Sequence, residues 1–205
     1  EMTVEEYEDM IEQYCGVRFE GRWKQMTNTD RLKIFDEIPM FKLMDEDEIN
    51  LSGLRDYLIE HGFFVKPAAL SHHNAYTGGL FDHSLNVMRN LLALTDKLDL
   101  KWEREMSPYI IGMFHDLCKM DNYILIDGHY EYETDTLLKG HGDKSVMVLA
   151  QYFKLTEEEI MCIRYHMGAF CDKSEWNDYT RAVHKYTNVL WTHQADMLAS
   201  HVSGI

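Results

Sequence analysis

The chain has 205 residues, with 35 acidic against 20 basic side chains, 11 histidines, 4 cysteines and 3 prolines, a size that suits one domain or one domain with an appendage. At 45% hydrophobic and 27% charged it can bury a sizeable core, and its composition is neither that of a disordered chain nor membrane-like. A formal charge of −15 argues against affinity gained mainly by neutralising many phosphates of long DNA or RNA, but leaves room for a small phosphorylated substrate held by a metal or a local cation.

The first 50 residues carry 14 acidic and 6 basic side chains, net −8, and are more acidic than the rest of the chain. Val4, Tyr7, Met10, Ile11 and Tyr14 recur at helical spacing, which predicts a short amphipathic helix with Thr3 as N-cap and Cys15-Gly16 as its stop. Asp45 to Glu48 reads as the N-cap and first turn of a helix through Leu54, Tyr57 and Leu58, in preference to an acidic binding run. Residues 1–60 are therefore expected to form an acidic helical N-terminal extension, and residues 61–205 the main domain.

From Gly79 onward the pattern is helix after helix. Leu85, Met88, Leu91, Leu92 and Thr95 make one stripe running to about Leu98. Ser107-Pro108 reads as a cap followed by proline at the first helical position, opening a central apolar helix through Ile110, Ile111, Met113, Phe114 and Leu117. Tyr123 to Ile126, Asp127-Gly128 and Tyr130 to Thr134 predict a small β-hairpin with a type I′ turn. A helix around Lys144 to Phe153, another opened by Thr156 with Glu157 to Glu159 in its first turn, and a last one from about Tyr179 to His201 complete the expectation. The fold class is all-α, a helical bundle with one small β-hairpin.

The histidines then decide the function class. His115-Asp116 ends the central apolar helix, and adjacent His and Asp side chains do not share a helix face unless something draws both to one point. A divalent metal does so, since imidazole nitrogen and carboxylate oxygen suit Mn, Fe, Ni, Mg or Zn to differing degrees. His83, His141 in Gly140-His141-Gly142-Asp143, His166 and Asp196 each fall on a successive element. The separations are 32, 25, 25 and 30 residues, about one helix plus a loop each. Isolated histidines such as His61, His129, His184 and His201 read as surface or capping residues.

This ordered set resembles the HD-domain superfamily of metal-dependent phosphohydrolases. Phe114-His115-Asp116-Leu117-Cys118-Lys119 is similar to that family's H-D-x-x-K core, with Cys118 where glycine is usual, a departure expected to leave the ligand set untouched. Lys66-Pro67-Ala68-Ala69 through His72-His73 and Gly78-Gly79-Leu80 to His83-Ser84-Leu85 resembles the approach to the first ligand in HD-type bacterial 3′-to-5′ exoribonucleases and relaxase-associated HD domains. The resemblance runs from about Lys66 to Ala199. It implies that residues 61–205 are an HD domain in which His83, His115, Asp116 and Asp196 hold one metal, with Asp116 bridging to a second ion that His141 and His166 complete. Many binuclear members carry a second histidine after the position of His166, where this chain has Met167.

The resemblance further implies hydrolysis of a phosphoester by metal-activated water, with one or two divalent ions, Asp116 and Lys119 as catalytic residues and Lys119 as the cation for a phosphate oxygen. Arg164 and Lys144 are further candidate cations. His72 and His73 are candidate pocket residues, and His193, one turn before Asp196, a candidate neighbour. The expected substrate is a nucleotide or short oligonucleotide, with no long-duplex nucleic acid and no membrane partner. The alternatives are an HD-type diiron oxygenase, a 3′-to-5′ exonuclease acting on longer nucleic acid, and a binding module without turnover. With no C-x-x-C pair, no apolar run of about 18 residues and no basic-then-apolar leader, a cytoplasmic location is expected.

Overall fold

The computed structural model describes residues 26–45, 47–71, 74–137 and 140–202. The predicted helix over Val4 to Tyr14, and His72 and His73, lie outside them. The described chain is all-α with one two-stranded antiparallel hairpin.

Helix α1 (Asn28–Asp36) begins in a capping box: the Asp30 backbone N–H donates to the Thr27 hydroxyl at 3.2 Å, and the Thr27 N–H to the Asp30 carboxylate at 2.8 Å. Such reciprocal caps satisfy donors that no earlier turn can reach. A short turn α2 (Met40–Leu43) and α3 (Leu51–Glu60) follow. The helix expected to be capped by Asp45 is capped five residues later, by Asn50, which accepts from the Gly53 N–H at 3.1 Å. Residues 48–50 are instead spent on pairing: Asn50 N–H donates to the Tyr152 carbonyl and Lys154 N–H to that of Glu48.

The same pairing explains why α7 (Gly142–Leu149) stops short of the predicted Phe153. The long α4 (Gly79–Leu98) follows Gly78 at φ +87°, and α5 (Ser107–Phe114) packs across it. Ser107 opens α5 but does not cap it, since its hydroxyl donates to the buried Glu159 carboxylate at 2.9 Å. Beyond a short α6 (Lys119–Asn122), β1 (Tyr123–Ile126) pairs with β2 (His129–Tyr132). Asp127 and Gly128 both have positive φ, +50° and +86°, as the expected type I′ turn requires.

Helix α8 (Glu157–Arg164) opens with the predicted Thr156 cap, closed into a box by Glu159. The single last helix expected from Tyr179 is broken in two, α9 (Trp176–Lys185) and α10 (Asn188–His201). Tyr186 takes an extended backbone between them, and the Asn188 amide donates to the Lys101 carbonyl and the Glu158 carboxylate, both at 2.8 Å. Two side-chain bonds from one residue fix a new helix start that hydropathy does not mark.

One core joins residues on both sides of position 60: Ile34, Phe35, Leu54 and Leu58 cluster with Phe63, Phe81 and Phe114. Gly112 of α5 lies hard against α4, where an added Cβ would lie 2.3 Å from the Met88 Cα. Backbone cannot yield as a flexible side-chain end can, so Gly112→Ala is expected to destabilise by about 1–3 kcal/mol or more. An unchanged thermal unfolding midpoint would show that the helices separate freely at this crossing.

Candidate metal centre

The two helices that cross at Gly112 deliver His83 and the His115-Asp116 pair, and three further helices bring the other predicted ligands. His83 lies in the second turn of α4, His115-Asp116 at the end of α5, His141 just before α7, His166 just past α8, and Asp196 on α10. Five of these side chains meet. The His83 Nε2 lies 3.5 Å from the Asp116 Oδ2 and 3.2 Å from the Asp196 Oδ1. The His115 Nε2 lies 3.3 Å from the Asp116 Oδ2, and the His166 Nε2 3.5 Å from the Asp116 Oδ1. Donor atoms held about 2.0–2.2 Å from one ion lie roughly 3–3.5 Å from each other, so these spacings suit a shared cation.

The tautomers suit it as well. The His115 Nδ1–H donates to the Gly112 carbonyl at 2.9 Å and the His166 Nδ1–H to the Ile163 carbonyl at 2.7 Å, each three residues back at a helix end. That leaves the Nε2 lone pair of each ring aimed at Asp116, the arrangement by which metal-binding histidines are oriented. The His115 Nε2, the His166 Nε2 and the Asp116 Oδ1 are buried without a hydrogen-bond partner among the described residues. Stranded polar atoms of this kind carry a real cost, and a divalent ion would satisfy all three at once. The donor set therefore fits a metal.

His141 is the less enclosed member. Its Nδ1 lies 3.3 Å from the Cys118 Sγ, and one donor atom each from Asp116, Cys118 and His141 lie within 4.8 Å of one another. Burial lowers the pKa of His141, which favours the neutral imidazole that a metal needs.

Lys119 reaches the same point, its Nζ 2.7 Å from the Asp116 Oδ2. Burial opposes charge on both groups, but the pair overrides it: the Lys119 pKa is raised, and Lys119, then His115 and His166, hold the Asp116 carboxyl well below the usual range. For Asp196, burial is likewise outweighed by its contact with His83, and its pKa is lowered.

Other predicted residues stand elsewhere. The Arg164 guanidinium is engaged by Asp143 and Glu175, both at 2.6 Å, and Lys144 pairs with Asp121 at 2.9 Å. His193 lies behind the centre, with its Nδ1 2.9 Å from the carbonyl oxygen of His166, so it supports the backbone of that candidate ligand. His61 stacks on Tyr57 and His129 pairs with the exposed Glu131. A cavity of about 870 Å³ lined by Lys66, Asp121, Tyr123 and Lys144 includes none of the six predicted ligands.

Sequence reasoning missed the support of His83. The preceding residue, Asp82, is fully buried and accepts from the Arg31 Nε at 2.7 Å, the Arg31 Nη2 at 2.9 Å and the Tyr76 hydroxyl at 3.0 Å. This bidentate pair ties α1 to the first turn of α4. Burial raises the Asp82 pKa, and Arg31 acts against that rise. Gly78 is needed beside it, since a Cβ there would lie 2.1 Å from the Arg31 Cζ.

No family model and no solved structure matches the chain. Among curated proteins, it is 33% identical over 72 residues to the dihydroneopterin 2′,3′-cyclic phosphate phosphodiesterase of Methanocaldococcus jannaschii, a stretch that is 33% of this chain and 29% of that relative. The chain thus aligns with less than a third of the relative's length.

Proposed function

We propose that the protein is a metal-dependent phosphohydrolase of the HD type, acting on a phosphoester of a nucleotide or short oligonucleotide through a centre of one or two divalent ions. The observation that carries this reading is the division of one carboxylate. The Asp116 Oδ2 faces His83 and His115, while its Oδ1 faces His166. A carboxylate placed this way can serve two ions, one held with His83, His115 and Asp196 and the other with His166 and His141. The similarity to a phosphodiesterase supports the reaction class, and the name of that relative adds cyclic phosphodiesters to the substrates worth testing.

When bound, divalent ions supply a water nucleophile at neutral pH and offset negative charge on the phosphoryl oxygens. The chain's own residues do the rest. His83, the His115-Asp116 pair and Asp196 arrive on or at the end of three separate helices, so the reacting geometry is fixed mainly by packing. Lys119 keeps its proton beside Asp116 and is positioned to hold a phosphate oxygen as charge develops there. No protein nucleophile is required. The formal charge of −15 fits small substrates better than polymers, whose binding gains from broad basic surfaces. No helix among the described residues is long and apolar enough to cross a membrane.

Purified protein is expected to contain Mn, Fe, Ni, Mg or Zn, to release phosphate or open a phosphodiester in a screen of mononucleotides, 2′,3′-cyclic nucleotides and short oligonucleotides, and to lose that activity on chelation. Full activity after complete metal stripping overturns the reading. Oxygen consumption by iron-loaded protein without hydrolysis of any phosphoester would replace it with oxygenase chemistry.

A further inference from the structure

We propose that Cys118 is a metal ligand: its sulfur joins Asp116 and His141 at the second ion and gives that position a preference for borderline-soft ions such as Zn²⁺ or Co²⁺ over Mg²⁺. The proposal rests on the reading of the site as a metal centre.

Three observations point to it. Cys118 is fully buried and stands two residues past Asp116, with its Sγ 3.3 Å from the His141 Nδ1. A tetrahedral ion bound by sulfur at about 2.3 Å and nitrogen at about 2.0–2.1 Å keeps the two donors roughly 3.5 Å apart, so little movement is needed. The Cys118 backbone is also held in place. Its backbone N–H donates to the buried Ser145 hydroxyl at 3.1 Å, which fixes the turn between α5 and α6.

The third observation is the Asp116 Oδ1, buried and without a hydrogen-bond partner among the described residues. The Asp116 carboxylate belongs to the same group of donors within 4.8 Å as Cys118 and His141. The chain has Met167 directly after His166, so no second imidazole follows there, and Cys118 brings one donor more to Asp116 and His141. Sulfur in place of a further nitrogen or oxygen shifts the preference from hard to softer ions. On binding, the thiol proton passes to solvent as the metal–sulfur bond forms, and no electron is transferred. The other described cysteines are internal controls, since neither Cys162 nor Cys171 belongs to any such donor group.

The test is titration of the metal-stripped full chain with Co²⁺, followed by absorbance and by metal content after gel filtration. Wild-type protein is expected to develop an intense near-ultraviolet sulfur-to-cobalt charge-transfer band. Cys118→Ser is expected to lack the band and to bind the second equivalent about tenfold more weakly or worse, while the first equivalent remains. Cobalt binding with no band, or a band that persists in Cys118→Ser, refutes the role of Cys118 and leaves the metal centre standing. No cobalt binding at all refutes the metal centre, and this proposal with it. Should the variant fail to fold, X-ray absorption on zinc-loaded wild type decides by itself: a sulfur neighbour at about 2.3 Å supports the proposal, and a shell of nitrogen and oxygen only overturns it.

Discussion

Asparagine in place of Asp116 is expected to lower phosphohydrolase turnover by about 10³-fold or more, because the bridging role proposed for Asp116 would support several kcal/mol of charge stabilisation and each 1.36 kcal/mol is tenfold in rate. The change preserves shape and removes charge, so the loss reports on electrostatics and not on packing. It should also remove at least one ion from the purified protein. Asp116 faces His83, His115, His166 and Lys119 at once, and no other described carboxylate is placed to take over all four contacts. Metal content by mass spectrometry and turnover on whichever phosphoester the screen identifies would both have to stay at wild-type levels for the assignment of Asp116 to fail.

Loss of Arg31 should have the largest effect on stability. Arg31→Ala leaves the Asp82 carboxylate buried with only the Tyr76 hydroxyl, and breaking a buried ion pair from one side typically costs about 3–5 kcal/mol. Denaturant unfolding of Arg31→Ala against wild type measures it. A loss below about 1 kcal/mol, the size of an exposed pair, would show that water reaches Asp82. Replacing Arg31 and Asp82 together by apolar residues of similar volume should recover much of the loss, because no charge is then stranded. Since Asp82 precedes His83, Arg31→Ala is also expected to weaken metal binding in protein that remains folded.

The candidate ligands were legible in the sequence because each falls on or beside a successive helix, and such positions repeat at the length of a helix plus a loop. His83, the His115-Asp116 pair, His166 and Asp196 needed only that rhythm and a residue type suited to metals. The hairpin was legible because Asp-Gly between β-formers has few other uses, and the α8 cap because Thr156 and Glu159 have capping-box spacing. Arg31 and Asp82 are 51 residues apart, on helices whose pairing no periodicity announces, so nothing local marks them as partners. The break at Tyr186 is hidden for a similar reason: it is imposed by Lys101 and Glu158 through Asn188. In the sequence Cys118 stands as a neutral departure, because its direction depends on how the chain turns after α5, where Ser145 holds the backbone.

The carbonyl bonds of His115 and His166 have a thermodynamic consequence. Both imidazoles are held in orientation by backbone groups of their own helix ends, so the rotamer entropy of these two candidate ligands is lost during folding. An ion entering the proposed centre would meet side chains already ordered, and the work of assembling the centre would fall on the folding equilibrium. With an ion at the proposed centre, folding and metal uptake would become one linked equilibrium, in which every tenfold rise in free ion above its dissociation constant adds about 1.4 kcal/mol to the stability of the whole bundle.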